Sequence, residues 1–195
     1  MKMTLVEGQG VIRATMEQGV ASSRMVIDPS DNSLTWAAGD KFKVYRADGG
    51  QSSDWTLKDE DAGNKSGTFT GTEFSGDVAG AIYPSDIYKS YSGSILTVNL
   101  SSNITYAGNN LNAPMWSSYT AWGESVSFKH LCALLKVNLN EIPDDYRILT
   151  VESKPSMGGT FVFDTTSDLF DESSGLQPSS TEAGTVTVDF STYTL

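Results

Sequence analysis

Apolar and polar residues alternate cleanly over residues 95–100, with Leu96, Val98 and Leu100 on one side and Ile95, Thr97 and Asn99 on the other. A strand with one buried face has this period of two, because successive side chains leave an extended backbone in opposite directions. Residues 185–190 repeat the pattern, with Val186, Val188 and Phe190 opposed by Thr185, Thr187 and Asp189. Around Trp36 the even positions Trp36, Ala38, Phe42 and Val44 line one face while Lys41, Lys43 and Tyr45 point away, and Gly39-Asp40 bends or breaks the ladder. Further strands are predicted over 23–27, 67–74, 79–83, 147–152 and 160–163. Turn signals separate them: Asp28-Pro29, Asp48-Gly49-Gly50, Gly63-Asn64, Tyr83-Pro84 and Met157-Gly158-Gly159. Short strands punctuated this often predict an all-β fold of sandwich type.

One segment fits two periods. Phe128, Leu131, Cys132, Leu135 and Leu139 follow the i, i+3, i+4, i+7 spacing of an amphipathic helix, so residues 128–139 read equally as helix or as a buried strand. Composition then narrows the function classes. The 195 residues carry 13 Lys plus Arg against 24 Asp plus Glu, a net charge of −11 that repels a phosphate backbone and an anionic membrane surface. Nucleic acid is therefore not an expected partner. A single cysteine, Cys132, leaves no intrachain disulfide, zinc ribbon or CxxC redox site. No stretch reaches the ~18 apolar residues of a spanning helix, and the first ten residues lack the apolar run of an export signal.

Two stretches carry a resemblance. Trp36-Ala-Ala-Gly-Asp-Lys-Phe-Lys-Val-Tyr45, followed by Val126-Ser-Phe-Lys-His-Leu-Cys-Ala-Leu-Leu-Lys-Val-Asn-Leu139, resembles the fimbrillin-like surface proteins of Bacteroides-type bacteria over roughly residues 10–165. The resemblance implies transthyretin-like β-sandwich domains in series and makes 128–139 a strand buried on both faces in its middle. It places an N-terminal domain at 1–124 and a second at 125–195. A domain of about seven strands needs ~100 residues, so the second is expected to be partial or reduced. It also implies a removed export signal, a place at the cell surface and outer membrane in a fimbrium, other fimbrial subunits as partners through β-strand addition, and adhesion to surface glycans or host proteins. Fimbrillins that polymerise are cut after an arginine near the N-terminus, which maps onto Arg13-Ala14 and makes residues 1–13 a removable strand. Tip and anchor members are not cut, and an arginine in an ordinary strand reads the same way.

The remaining candidates are weighed on chemistry. His130 and Cys132 are the sole histidine and cysteine, yet i and i+2 side chains on a strand stand ~7 Å apart, beyond the reach of a nucleophile–base pair. Asp59-Glu60-Asp61-Ala62-Gly63-Asn64 is a fragment of a calcium loop lacking its third ligand before the glycine, with Thr70 where the bidentate glutamate belongs. Asp164, Asp168, Asp171 and Glu172 form a second acidic group, and a solvated turn explains each. Gly8-Gln-Gly10 and Gly67 to Gly71 lack the strand-to-helix context of a phosphate cradle. Trp116, Tyr119 and Trp122 precede the domain boundary as an aromatic set that either stacks on sugar rings or packs at a seam. No catalytic constellation, metal set or cofactor motif emerges, so a structural surface protein is expected, with a glycan-binding module as the alternative and a hydrolase behind both.

Overall fold

The computed structural model describes residues 9–16, 25–27, 34–105, 110–111, 113–119, 121–132, 146–154, 156–167, 175–179 and 184–191. Among them lie strands β1 (Gln9–Met16), β2 (Met25–Ile27), β3 (Leu34–Thr35), β4 (Lys41–Arg46), β5 (Ser52–Leu57), β6 (Ser66–Thr72), β7 (Val78–Tyr83), β8 (Tyr88–Ser92) and β9 (Ile95–Leu100). They continue as β10 (Asn103–Thr105), β11 (Asn110–Leu111), β12 (Met115–Ser117), β13 (Val126–His130), β14 (Ile148–Ser153), β15 (Gly159–Asp164), β16 (Gln177–Pro178) and β17 (Gly184–Asp189). The described residues contain two 3₁₀ turns, Asp59–Asp61 and Ser85–Ile87, and no α-helix. The protein is all-β.

Seven strands close into one sheet in the order β1-β13-β12-β7-β4-β5-β6. Beside it lie a four-stranded sheet β16-β15-β9-β8, a three-stranded sheet β10-β17-β14 and the short sheet β11-β2-β3. The period of two decides where the cores sit. On β4, Phe42 and Val44 point into the closed sheet and Tyr45 points out; on β7, Ala81 and Tyr83 point in and Ile82 out; on β12, Met115 points in and Trp116 out. The inward set packs with Trp36, Trp55, Phe69 and Phe128. The outward set packs with Leu96, Val98 and Leu100 of β9 and Phe161 and Phe163 of β15. Strands β4, β7 and β12 therefore form a wall shared by two cores. Each large side chain buried there contributes about 1.5–3 kcal/mol over leaving it in water.

Polar atoms inside the wall are matched. Trp116 Nε1 donates to the Tyr45 hydroxyl at 2.7 Å, both groups being buried. Gly80 makes room for that pair, since a Cβ there would stand 2.7 Å from Tyr45 Cζ. The Gly39-Asp40 element also has a definite role: Gly39 takes φ +82°, and buried Asp40 accepts from the Ala37 amide at 2.7 Å and from the Tyr83 hydroxyl at 2.8 Å. This turn lifts Ala38 into solvent, so it does not share the buried face with Trp36, Phe42 and Val44 as its parity predicts.

The alternating segments behave as strands. Leu96, Val98 and Leu100 are buried in β9, and Val186 and Val188 lie half-buried in β17. In β13, Val126 and Phe128 are buried while Ser127 and Lys129 are exposed, a strand period and not a helical one; residues 133–139 of that segment lie outside the described residues. The division expected at 124–125 separates β12 from β13, which are hydrogen-bonded neighbours in the closed sheet. Three further pairings cross it, β1 with β13, β9 with β15 and β10 with β17.

Candidate strand-accepting site

Strand β1 carries Gly10, Ile12, Ala14 and Met16 on one face and Val11, Arg13 and Thr15 on the other. Ile12, Ala14 and Met16 are buried in the inner core, whereas Val11, Arg13 and Thr15 are exposed, Val11 to 56%. Against β6 the strand is antiparallel over its length, from Gln9 opposite Thr72 to Thr15 opposite Ser66. Against β13 it is parallel and touches only at Ala14–Val126, Thr15–Ser127 and Met16–Phe128. The other pairings around the closed sheet are antiparallel, and a parallel ladder is slightly weaker per residue. Residues 9–13 thus pair with β6 alone, Ala14 and Thr15 pair on both sides, and Met16 pairs with β13. The Arg13–Ala14 bond falls at that junction.

Arg13 itself sits opposite Thr68. Nearby, Asp61 lies below the ordinary carboxyl range because Thr68 donates to it from side chain and backbone, with Lys58 and Arg13 adding positive charge. The 3₁₀ turn Asp59–Asp61 is thereby tied to β6, with Thr68 N to Asp61 Oδ2 at 2.7 Å, a structural use of the acidic stretch. Asp164 accepts from the Thr166 amide and hydroxyl at 3.0 and 2.8 Å; Asp168, Asp171 and Glu172 lie outside the described residues, as do Thr4, Leu5 and Val6. Among the described residues no three acidic, histidine or cysteine side chains gather as metal ligands would.

The aromatic set is split. Trp116 faces the outer core, edge-on to Phe163 with centroids 5.1 Å apart. Tyr119 belongs to the inner core, and burial pushes its hydroxyl up to about 12. Half-buried Trp122 leans on Trp55 at 5.6 Å and on Phe74 at 5.0 Å, and donates to the Phe74 carbonyl at 3.3 Å. The wall therefore stands between Trp116 and the other two, and the three rings do not form one exposed platform. His130 ends β13 opposite Met115. Cys132 packs against the outer core, and desolvation raises its thiol to about 11, leaving little thiolate at neutral pH.

No helix among the described residues is long and apolar enough to cross a membrane. Comparison with protein-family models, with curated proteins and with solved structures found no match to this chain. The half-held strand β1 is the feature that sequence reasoning located only in part. Its signal is the alternation of Gly10, Ile12, Ala14 and Met16, in which two of the four inward residues are too small to register as apolar.

Proposed function

We propose that the chain is a fimbrillin-like structural subunit or accessory component of bacterial surface fimbriae, built from transthyretin-like β-sandwich domains in series, which assembles by strand donation and contributes to cell adhesion without a catalytic step. Its place is the cell surface and outer membrane, and its partners are other fimbrial subunits, with surface glycans or host proteins as adhesion targets. The observation that carries this reading is the attachment of β1: residues 9–13 are held by β6 alone, with Arg13 exposed at the point where two-sided pairing begins. Loss of residues 1–13 would unpair the β1-facing edge of Thr68–Thr72 and vacate the space of Ile12. An extended segment from a neighbouring subunit satisfies both needs, restoring the backbone hydrogen bonds and refilling the apolar notch.

Limited proteolysis tests this. Trypsin at low dose is expected to release a product beginning at Ala14 before it cuts after Lys43 or Arg46, which lie in a strand flanked on both sides by β5 and β7. The shortened chain is then expected to form concentration-dependent oligomers on size exclusion. Cleavage in β4 as early as at Arg13, or a shortened chain that stays monomeric with donor-strand peptide in excess, would count against the reading.

A further inference from the structure

Where β1 lacks a second ladder, an aromatic stack lies against it. The Trp55 indole spans the Gly10–Gly71 pair: a Cβ at Gly10 would stand 2.5 Å from Trp55 Cη2, and one at Gly71 2.6 Å from Trp55 Cδ2. Trp55 Nε1 donates to Ser53 Oγ at 3.0 Å, and its ring rests on Trp122 with centroids 5.6 Å apart. Trp122 comes from the connection between β12 and β13, the strand with which residues 9–13 make no pairing. It also meets Phe74 edge-on at 5.0 Å and donates to the Phe74 carbonyl at 3.3 Å, two residues past Thr72, the partner of Gln9. One half-buried indole therefore braces both the ring that lies on Gly10 and the end of β6 on which the strand is seated. The turn that carries it is lightly held. Gly123, Glu124 and Ser125 are exposed, Gly123 takes φ +87°, and the Glu124 amide donates to the Ala121 carbonyl at 3.4 Å.

We propose that residues 121–125 are a latch on β1. With Trp122 closed on Trp55 and Phe74 the first half of the strand is held down, and when the turn lifts, residues 9–13 detach while Ala14 to Met16 keep their ladder with β13. The coupling runs through Trp55. Without Trp122 against it the indole is free to tilt off Gly10, a position with no side chain of its own to keep the strand seated. The latch governs the opening of the intact strand, so it goes beyond strand donation and does not depend on what fills the site afterwards.

The test uses full chains carrying Trp122→Ala, Trp122→Phe or Gly123→Ala, compared with wild type by native-state hydrogen exchange while trypsin cleavage after Arg13 is followed in parallel. Through the loss of its ring contacts, Trp122→Ala is expected to speed exchange over residues 9–13 by about tenfold and to leave Ala81 to Tyr83 within about twofold of wild type. Trp122→Phe keeps a ring in place and should fall between the two. Gly123→Ala keeps every ring. Its Cβ meets nothing within 4 Å, so the left-handed backbone is its sole cost, and exchange over residues 9–13 about fivefold faster is expected. Unchanged exchange over 9–13 in Trp122→Ala, or equal acceleration of 9–13 and 81–83, overturns the latch. Should Trp122→Ala fail to fold, Gly123→Ala carries the same comparison. Cleavage that stays at the wild-type rate while exchange over 9–13 quickens upholds the latch and counts against processing at Arg13.

Discussion

Strands β1 and β7 belong to the same closed sheet, and each carries an isoleucine removed from solvent, Ile12 at 1% and Ile82 at 0% exposure. They are held very differently. Strand β7 lies between β4 and β12 and has a core on either face, so it can leave only if both cores open. Strand β1 buries one face, shows the other to water, and is paired on both sides only at Ala14 and Thr15. Burial of a side chain and attachment of its strand are thus separate quantities. A side chain fully inside can belong to an element that opens well below the free energy of global unfolding.

The sharpest way to break this contrast is at the wall. Trp116→Ala removes an indole from the outer core and a hydrogen bond from Tyr45, so a loss of about 3–5 kcal/mol is expected in a denaturant melt; a loss under about 1 kcal/mol would mean that the wall is not shared by two cores. Next comes the matched pair. Ile82→Ala is expected to lower global stability by about 2–5 kcal/mol. Ile12→Ala should instead appear chiefly as faster exchange of the β1 amides with a smaller global loss; equal melts would erase the distinction. Tyr45→Phe leaves Trp116 Nε1 buried without its acceptor, and about 1–3 kcal/mol is expected from the same melt.

The smallest effects are on pH. Asp48, Asp61, Asp164 and Asp189 sit below the ordinary carboxyl value of 3.8, the largest cause being the Gly50 amide for Asp48, the Thr68 hydroxyl for Asp61, the Thr166 amide for Asp164 and the Ser191 amide for Asp189. Their contribution is present above that value and lost as pH falls through the lower folded ones, so the melting temperature should decline modestly below pH about 4. Tyr45 and Tyr119 are raised by burial, Tyr119 to about 12. They stabilise the fold fully below the unfolded value of about 10 and lose that contribution as pH rises past it. A melting temperature flat from pH 9 to 12 would contradict their burial.

Legibility in the sequence followed the local signal. Strands β9 and β17 were readable because every second residue is apolar, and β4 because Phe42 and Val44 keep one parity. Strand β12 was not, because Met115, Trp116 and Ser117 are all buried and leave no alternation to read. Its neighbour Tyr119 enters the inner core past the strand's end, so the spacing of Trp116, Tyr119 and Trp122 gave no hint that a sheet separates them. The Gly39-Asp40 pair looked like an interruption because the partner of Asp40, Tyr83, is 43 residues away. Strand β1 was blurred by Gly10 and Ala14, and the smallness of Gly10 makes sense only once Trp55 is seen against it.

Native-state hydrogen exchange across the closed sheet tests the central claim most directly. Amides of Val11 to Arg13 are expected to exchange through an opening of distinctly lower free energy than those of Ala81 to Tyr83, with little dependence on denaturant. Exchange of both groups at one common free energy, equal to that of global unfolding, would contradict a separately detachable β1.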